Sequence, residues 1–232
     1  MDYNYEYIKK NPNMHLEHSD MKFDQLLRVL PDKRYDSILD IACGAGAITL
    51  KFQEYFKPNY IEGIDISEAM ISKAKELDTK RLINWKIADI YSYQRAKNFD
   101  LIVCADIIEH LEQDAKFVQI LSKLGQEVVI KVPLEDSYFN RFLRKFKIYD
   151  SWKDTEIRYG HIKHYSENAL DKVFIENGFT IKKKISVPMP KRSKLIWEAI
   201  RLAFIPISLI STNIMVKFAG GFKIYHLESK NI

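Results

Sequence analysis

Cysteine is scarce in this chain: Cys43 and Cys104 are the two in 232 residues. A single pair of thiols excludes the disulfide framework of a small secreted scaffold and is typical of a reduced compartment. The first 20 residues lack a continuous apolar run and contain charges and Pro12, so they do not have the pattern of an export signal. We therefore expect a cytoplasmic protein.

The chain also lacks an excess of charge of one sign and a long apolar run. It has 36 Lys and Arg against 31 Asp and Glu, a near balance that disfavours a dedicated nucleic-acid-binding surface. The stretch between Arg201 and Lys217 is uncharged, but it contains Pro206 and is shorter than the roughly 20 residues of a membrane-spanning helix. Since 47% of the residues are hydrophobic, the composition suits one globular domain over residues 1–232.

The most informative pattern is an apolar strand that ends in a glycine turn. Residues 37–41 suit a strand covered on both faces, and the turn from Ala42 to Gly46 would let backbone N–H groups approach a ligand before a helix begins near Ala47. Dinucleotide enzymes need a third glycine in this turn, and Thr49 occupies that position. With Asp65 closing the next strand, the pattern predicts a pocket for a nucleoside cofactor.

The run from Asp40 to Gly46, reading DIACGAG, resembles motif I of class I S-adenosylmethionine-dependent methyltransferases, with Ala42 in place of the first glycine. Further blocks follow in that family's order at 59–66, 87–90, 98–111, 127–133 and 160–179. The resemblance implies an α/β fold with a doubly wound, mostly parallel seven-stranded sheet, whose last strand, Gly221–Glu228, runs antiparallel beside Phe179–Val187. It also implies S-adenosyl-L-methionine as cofactor and a small-molecule acceptor, as in ubiquinone-type O-methyltransferases.

The resemblance assigns cofactor contacts by position. Asp65 would accept hydrogen bonds from the ribose hydroxyls, and Asp89 would face the adenine amino group, with Ile90 on the ring. An alternative interpretation is that each aspartate is only a turn or cap residue. The full set that the resemblance places at the cofactor is Asp40, Ala42, Gly44, Gly46, Asp65, Ile66, Asp89, Ile90, Cys104 and Ala105.

Candidate catalytic residues follow the fourth and fifth strands. Histidine suits a general base because its ordinary pKa lies near neutrality, and His110 and His164, together with Glu109, are the residues we assign to catalysis. We expect His164 and Tyr165 to point toward the pocket mouth, ahead of a helix that Ser166 caps. The alternative is that these histidines, and His161, are structural residues with satisfied hydrogen bonds.

The run from Asp106 to His110 resembles the E-x-x-E-H metal cluster of ubiquinone-type O-methyltransferases and small-RNA 2′-O-methyltransferases, with Asp106 in place of the first glutamate. In those families the acidic oxygens and the imidazole meet at one ion, and His161 or His164 could complete the shell here. Many small-molecule relatives carry a similar run without metal. We therefore assign no metal.

Three segments lie outside the strands of the resemblance. Residues 1–34 would form an N-terminal cap, with Tyr3, Tyr5 and Tyr7 over the cofactor or on the surface, and a helix from Asp20 to Leu30 capped by Ser19. Residues 133–165 would form an acceptor-side insertion, in which Phe139, Phe142 and Phe146 either pack on the core or belong to a basic, aromatic lid for an acidic acceptor.

The third segment is an apolar and basic insertion at 191–219, before the last strand. It would pack on the sheet or cover the acceptor site, or else form a homodimer surface or a peripheral contact with the inner membrane face through 191–217. The function expected is methyl transfer to an oxygen, or less readily a nitrogen, of a small, sugar- or lipid-linked metabolite. The alternatives are a metal-assisted RNA 2′-O-methyltransferase and a non-catalytic cofactor-binding scaffold.

Overall fold

A computed structural model describes residues 18–95, 98–189, 202 and 204–231. The expectations for Tyr3, Tyr5 and Tyr7 and for 191–201 fall outside the described residues. Seven strands make one sheet: β1 Ser37–Ile41, β2 Tyr60–Asp65, β3 Asn84–Ile87, β4 Phe99–Ala105, β5 Gly125–Leu134, β6 Phe179–Pro188 and β7 Gly221–Ser229. The helices are α1 Ser19–Leu27, α2 Ala47–Phe56, α3 Glu68–Leu77, α4 Asp114–Leu124, α5 Tyr138–Lys145, α6 Ser151–Tyr159, α7 Glu167–Glu176, α8 Ile205–Ile210 and α9 Thr212–Ala219, with a 3-10 turn at Ile108–His110.

The sheet has the strand order β3-β2-β1-β4-β5-β7-β6. Its first five strands pair in parallel, and β7 pairs antiparallel with both β5 and β6. The expected doubly wound sheet with an antiparallel last strand is confirmed. In the register of the central strands, Ile41 pairs with Ile64 and with Cys104, so the loops after β1, β2 and β4 open on one edge, where ligands bind in such sheets.

Successive side chains of a strand point to opposite faces of the sheet. Because the side chains on both faces are apolar, helices cover both faces. Leu39 belongs to a buried cluster with α4 and α7, while its neighbour Ile38 belongs to a second cluster with α1, α2 and α3. Each fully buried leucine or isoleucine of this kind stabilises the fold by about 1.5–3 kcal/mol. This two-sided core holds the strand ends in fixed positions.

Two local expectations are wrong. Helix α1 begins at Ser19 itself and ends at Leu27, with His18 at the N-cap and no side-chain cap hydrogen bond, because His18 (φ −104°, ψ 2°) lacks the extended backbone of a typical cap. The second is the core-packing interpretation of the phenylalanine stripe, which is wrong for Phe142 and Phe146 because both are exposed, while Phe139 is half-buried. Helix α5 has barely two turns and buries Leu143 instead. No helix among the described residues is long and apolar enough to cross a membrane.

Candidate functional site

A cavity of about 800 Å³ opens at the carboxyl ends of the strands. Its walls come from the loops after β1, β2, β3 and β4, from the end of β5, and from helices α1, α5, α6 and α9. A volume of this size is in the range of small-molecule and cofactor sites. The cavity therefore lies at the sheet edge where the sequence predicts the cofactor, and it is large enough to hold one.

The glycine turn after β1 forms one wall. Ala42, Gly44 and Gly46 all have positive φ, at 55°, 56° and 80°, and the strained Ala42 fixes the sharp exit from the strand. A Cβ on Gly44 would meet no atom within 4 Å, so that backbone faces open space. A Cβ on Gly46 would overlap the ring of Trp85. Gly44 thus leaves room for a ligand, whereas Gly46 allows the helix to pack on the sheet.

Asp65 connects the glycine turn after β1 to the loop after β2 by hydrogen bonds. Its carboxylate accepts hydrogen bonds from the backbone N–H groups of Gly44 at 2.9 Å and Ser67 at 2.8 Å. Burial raises the pKa of Asp65, and the backbone N–H groups of Ser67, Gly44 and Ile66 oppose that shift. Each oxygen keeps a second lone pair, and the side chain lines the cavity. The carboxylate can therefore receive two hydroxyl groups of a ribose.

Asp40 lies deeper in the same wall. It is buried, lines the cavity and accepts a hydrogen bond from the hydroxyl of Thr49 at 2.6 Å. Burial raises the pKa of Asp40 to about 7; the Thr49 hydrogen bond opposes the shift and nearby Asp65 adds to it. Asp40 is thus a carboxyl group that titrates near neutrality beside the glycine turn.

The other predicted cofactor residues divide into two sets. Ile66, Asp89, Ile90 and Ala105 line the cavity, and Asp89 accepts a hydrogen bond from the N–H of Tyr91 at 3.0 Å. Cys104 does not line it, because its side chain is fully buried in the core. Gly46 also lies behind the wall. All the remaining members of the predicted set face one cavity.

Asp106, the first residue of the suggested metal run, is held by two lysines. Lys131 of β5 donates to it at 2.5 Å and Lys22 of α1 lies at 2.9 Å. Burial would raise the pKa of Asp106, but the two lysines hold it well below its usual range. Lys131 is itself buried, with its ammonium 3.6 Å from the centre of the Phe222 ring. This carboxylate is therefore neutralised by protein cations.

Glu109 has a different environment. Its side chain is fully buried against the cavity, and neither carboxylate oxygen has a hydrogen-bond partner among the described residues. Burial, with the nearby charge of Asp106, raises the pKa of Glu109 well above its usual value. One ligand atom from each of Glu109, His110 and His161 lies within 4.8 Å of the others. These three residues, rather than Asp106, could hold a divalent cation.

A second carboxylate, Glu135, organises the histidines. His161 Nδ1 lies 2.8 Å from one of its oxygens and His164 Nδ1 lies 2.7 Å from the other. Since a carboxylate only accepts, both histidines carry their proton on Nδ1. Burial would raise the pKa of Glu135, but the hydrogen bonds and charges of the two histidines hold it below its usual value.

The expectation that His164 and Tyr165 face the pocket mouth is wrong. His164 stacks on Trp152 at 4.6 Å between ring centres, and Tyr165 is buried and donates to Asp114 at 2.8 Å. Neither lines the cavity, whereas His161 does. The buried Glu135 carboxylate explains this arrangement, because it needs two donors. Ser166 caps α7 as expected, accepting from the N–H of Ala169.

His110 and Glu109 do line the cavity, as predicted. His110 Nδ1 lies 3.1 Å from the carbonyl oxygen of Gly160, and burial lowers the pKa of His110, helped by neighbouring His161. Sequence reasoning missed Glu135 and Lys131. A signal for Glu135 existed, since it directly follows the fifth strand at the edge where the pocket was expected.

A family model described as a methyltransferase domain matches residues 15–184. The chain belongs to the methyltransferase domain family. Among curated relatives, this methyltransferase is similar to nodulation protein S of Sinorhizobium fredii, with 31% identity over 96 residues, 40% of this chain and 44% of the relative. It is also similar to the ubiquinone biosynthesis O-methyltransferase of Rickettsia felis, with 25% identity over 153 residues, 54% of this chain and 62% of the relative.

The methyltransferase fold is also seen in solved structures. N-methyltransferase NodS from Bradyrhizobium japonicum, in complex with S-adenosyl-L-homocysteine, is 18% identical and superimposes with a TM-score of 0.59, over 90% of this methyltransferase and 86% of that chain. The matches to the two curated relatives span less than two thirds of their length. The comparisons thus assign the family and the fold, and they include enzymes named for both O- and N-methylation.

Proposed function

We propose that this methyltransferase moves a methyl group from S-adenosyl-L-methionine to an oxygen, or less readily a nitrogen, of a small, sugar- or lipid-linked metabolite. The observation that carries the proposal is that one cavity brings together a ribose-type carboxylate, Asp65, and a histidine oriented by a carboxylate, His161. The first suits binding of a nucleoside cofactor. The second suits removal of a proton from an acceptor.

The cofactor half is supported by the turn. The open space over Gly44 lets a ligand approach backbone N–H groups, and Asp65 retains a lone pair on each oxygen for hydroxyl donors. Asp89 and Ile90 provide a polar and an apolar contact at the next strand end. When bound, the cofactor supplies an electrophilic methyl group, so the protein mainly has to align and deprotonate the acceptor.

The acceptor half is supported by the Glu135–His161 pair. With its Nδ1 proton donated to Glu135, His161 has Nε2 free to accept the proton of an acceptor hydroxyl. The carboxylate then stabilises the imidazolium that forms. A hydroxyl needs such a base, whereas a neutral amine does not, and this favours oxygen as the methylated atom. His110 would position the acceptor, and His164 would act behind Glu135 as a positioning residue.

A metal-assisted version of the same reaction is the second candidate. The observation in its favour is that the two Glu109 oxygens, beside His110 and His161, have no hydrogen-bond partner in the part of the chain that the structure describes. A cation there would compensate a carboxylate that otherwise costs several kcal/mol to bury in charged form. Lys22 and Arg158 also line the cavity, where they form ion pairs with Asp106 and Asp154.

The decisive experiment is calorimetry with S-adenosylmethionine and S-adenosylhomocysteine, each in EDTA and with added Mg²⁺, followed by acceptor screening with a radiolabelled methyl donor. We expect micromolar binding of both ligands. His161→Asn should then abolish transfer to any acceptor found while leaving cofactor affinity within about threefold.

The matched control is His226→Asn. His226 is a buried histidine that hydrogen-bonds to Glu127 at 3.0 Å, at the opposite end of β5. The His226→Asn variant should leave methyl transfer unchanged. Absence of binding under every metal condition would overturn the proposal, whereas cofactor binding without transfer to any acceptor would favour the non-catalytic cofactor-binding scaffold. Binding or transfer that requires Mg²⁺ would select the metal-assisted version.

A further inference from the structure

Two helices beside the cavity carry large apolar side chains that face solvent. Tyr138 and Phe142 of α5 and Phe146 at its C-cap follow one another at intervals of four residues and are 60%, 51% and 58% exposed. Ile214 and Phe218 have the same spacing in α9 and are each 47% exposed. Residues four apart lie on one side of a helix. Together these five side chains form what we name the apolar face.

The two stripes of the apolar face are continuous. The rings of Tyr138 and Phe218 lie 5.4 Å apart between centres, and those of Phe142 and Phe146 lie 4.7 Å apart. Leu209 and Ile210, directly before α9, are 83% and 84% exposed. Soluble proteins rarely expose so many large apolar side chains together unless the surface binds something.

The charge around the apolar face is positive. Residues 137–149 contain four basic residues and no acidic one. Arg141 and Arg144 are paired with Asp136 and Asp150, whereas Lys145 and Lys147 are exposed and form no ion pair within the described part of the chain. Large apolar side chains flanked by uncompensated lysines are the pattern of a surface that rests on anionic lipid.

The same helices also form part of the cavity wall. Phe139 and Asn140 of α5 line the cavity, as do Met215 and Ala219 of α9. The apolar face and the cavity are therefore separated by about one helix diameter, roughly 10 Å. A surface that docks here therefore lies against the outer side of the helices that line the cavity.

We propose that the apolar face docks on an anionic lipid bilayer and that the acceptor is drawn from that bilayer. The choice of acceptor rests on the proposed function, whereas the docking does not. Insertion of the aromatic side chains supplies the apolar contribution, and Lys145 and Lys147 supply attraction to the lipid phosphates. The proposal therefore selects the lipid-linked class among the acceptors considered above.

The test is cosedimentation of the full chain with vesicles of equal parts phosphatidylglycerol and phosphatidylcholine, compared with phosphatidylcholine alone. We expect binding to the anionic vesicles only. Phe142→Ser with Phe146→Ser should lower the partition coefficient by at least about tenfold. Lys145→Gln with Lys147→Gln should lower it about thirtyfold, since each basic residue near such a surface is worth about fivefold.

Matched controls use exposed residues away from the apolar face. Ile175→Ser in α7, where Ile175 is 49% exposed, and Lys80→Gln with Lys123→Gln should bind vesicles like the unmodified protein. All variants should bind S-adenosylmethionine equally in calorimetry. Equal vesicle binding by the apolar-face variants would overturn the proposal. So would a dimer in sedimentation that these variants dissociate, because a second copy would then cover the face. Vesicle binding without cofactor binding would contradict the proposed function alone.

Discussion

Removal of the Asp65 carboxylate gives the sharpest test of the cofactor site. Each of its oxygens accepts one backbone N–H and can accept a further hydrogen bond, and the side chain lines the cavity. Asp65→Ala would therefore remove two hydrogen bonds between a charged group and the cofactor, worth about 1.5–3 kcal/mol each. The sum, about 3–6 kcal/mol, corresponds to a loss of affinity of roughly 10² to 10⁴. Calorimetry with S-adenosylmethionine measures it directly.

The same substitution also removes the hydrogen bond that Asp65 accepts from the glycine turn. A control must therefore separate the effect on stability from the effect on binding. Asp78 at the other end of α3 accepts from the backbone N–H groups of Leu82 and Ile83 at 3.2 Å and 3.0 Å and from the indole of Trp85 at 3.2 Å. It does not line the cavity. Asp78→Ala should therefore lower the free energy of unfolding in urea at least as much as Asp65→Ala does. It should leave the affinity for S-adenosylmethionine unchanged.

Two results would refute this reasoning. Unchanged affinity in folded Asp65→Ala would show that Asp65 does not contact the cofactor. Equal loss of affinity in Asp65→Ala and Asp78→Ala would show that the carboxylate acts only through the stability of α3. Asp65→Glu adds a further check, because it keeps the charge and should recover part of the affinity.

Two further predictions concern buried carboxylates. Because the pKa of Asp40 is raised from 3.8 to about 7, the folded state holds this proton more tightly than the unfolded state between those values. The free energy of unfolding should therefore fall by about 3 kcal/mol between pH 5 and pH 8 relative to Asp40→Asn; a pH-independent difference would contradict this. Glu135→Gln leaves one acceptor oxygen for two histidines, so nitrogen NMR should show one ring shifting its proton to Nε2. Thr155→Val, which removes only the Thr155 hydroxyl 3.1 Å from Glu135, should shift neither; two unshifted rings in Glu135→Gln would contradict the assignment.

The cofactor half of the cavity could be predicted from the sequence because its determinants are local. An apolar run followed by Ala42, Gly44 and Gly46 specifies a strand, a tight turn and a helix within about fifteen residues. Asp65 and Asp89 stand at the ends of the next strands, and a parallel sheet brings such ends to one edge. The resemblance to class I methyltransferases implied the seven-stranded sheet with its antiparallel last strand, whereas the order of the strands comes from the structure.

The acceptor half could not be predicted in this way because its contacts join distant segments. Lys22 in α1 meets Asp106 after β4, and Glu135 after β5 meets His161 and His164 more than two dozen residues later. The spacing of these residues along the sequence does not predict such contacts. The sequence alone therefore favours His164 for the pocket, whereas in the structure His161 lines the cavity and His164 does not.

These differences share a physical cause in the segment 133–165. The buried carboxylate of Glu135 in this segment needs hydrogen-bond donors, and His161 and His164 provide them. Of these two histidines, His161 lines the cavity and His164 does not. The short helix α5 of the segment can bury one side only, so Leu143 and Phe139 turn inward while Phe142 and Phe146 remain in solvent. The segment thus combines the proposed base on its inner side with the proposed lipid contact on its outer side. Under the proposed docking, this single segment would hold an acceptor anchored in a bilayer close to its proton acceptor.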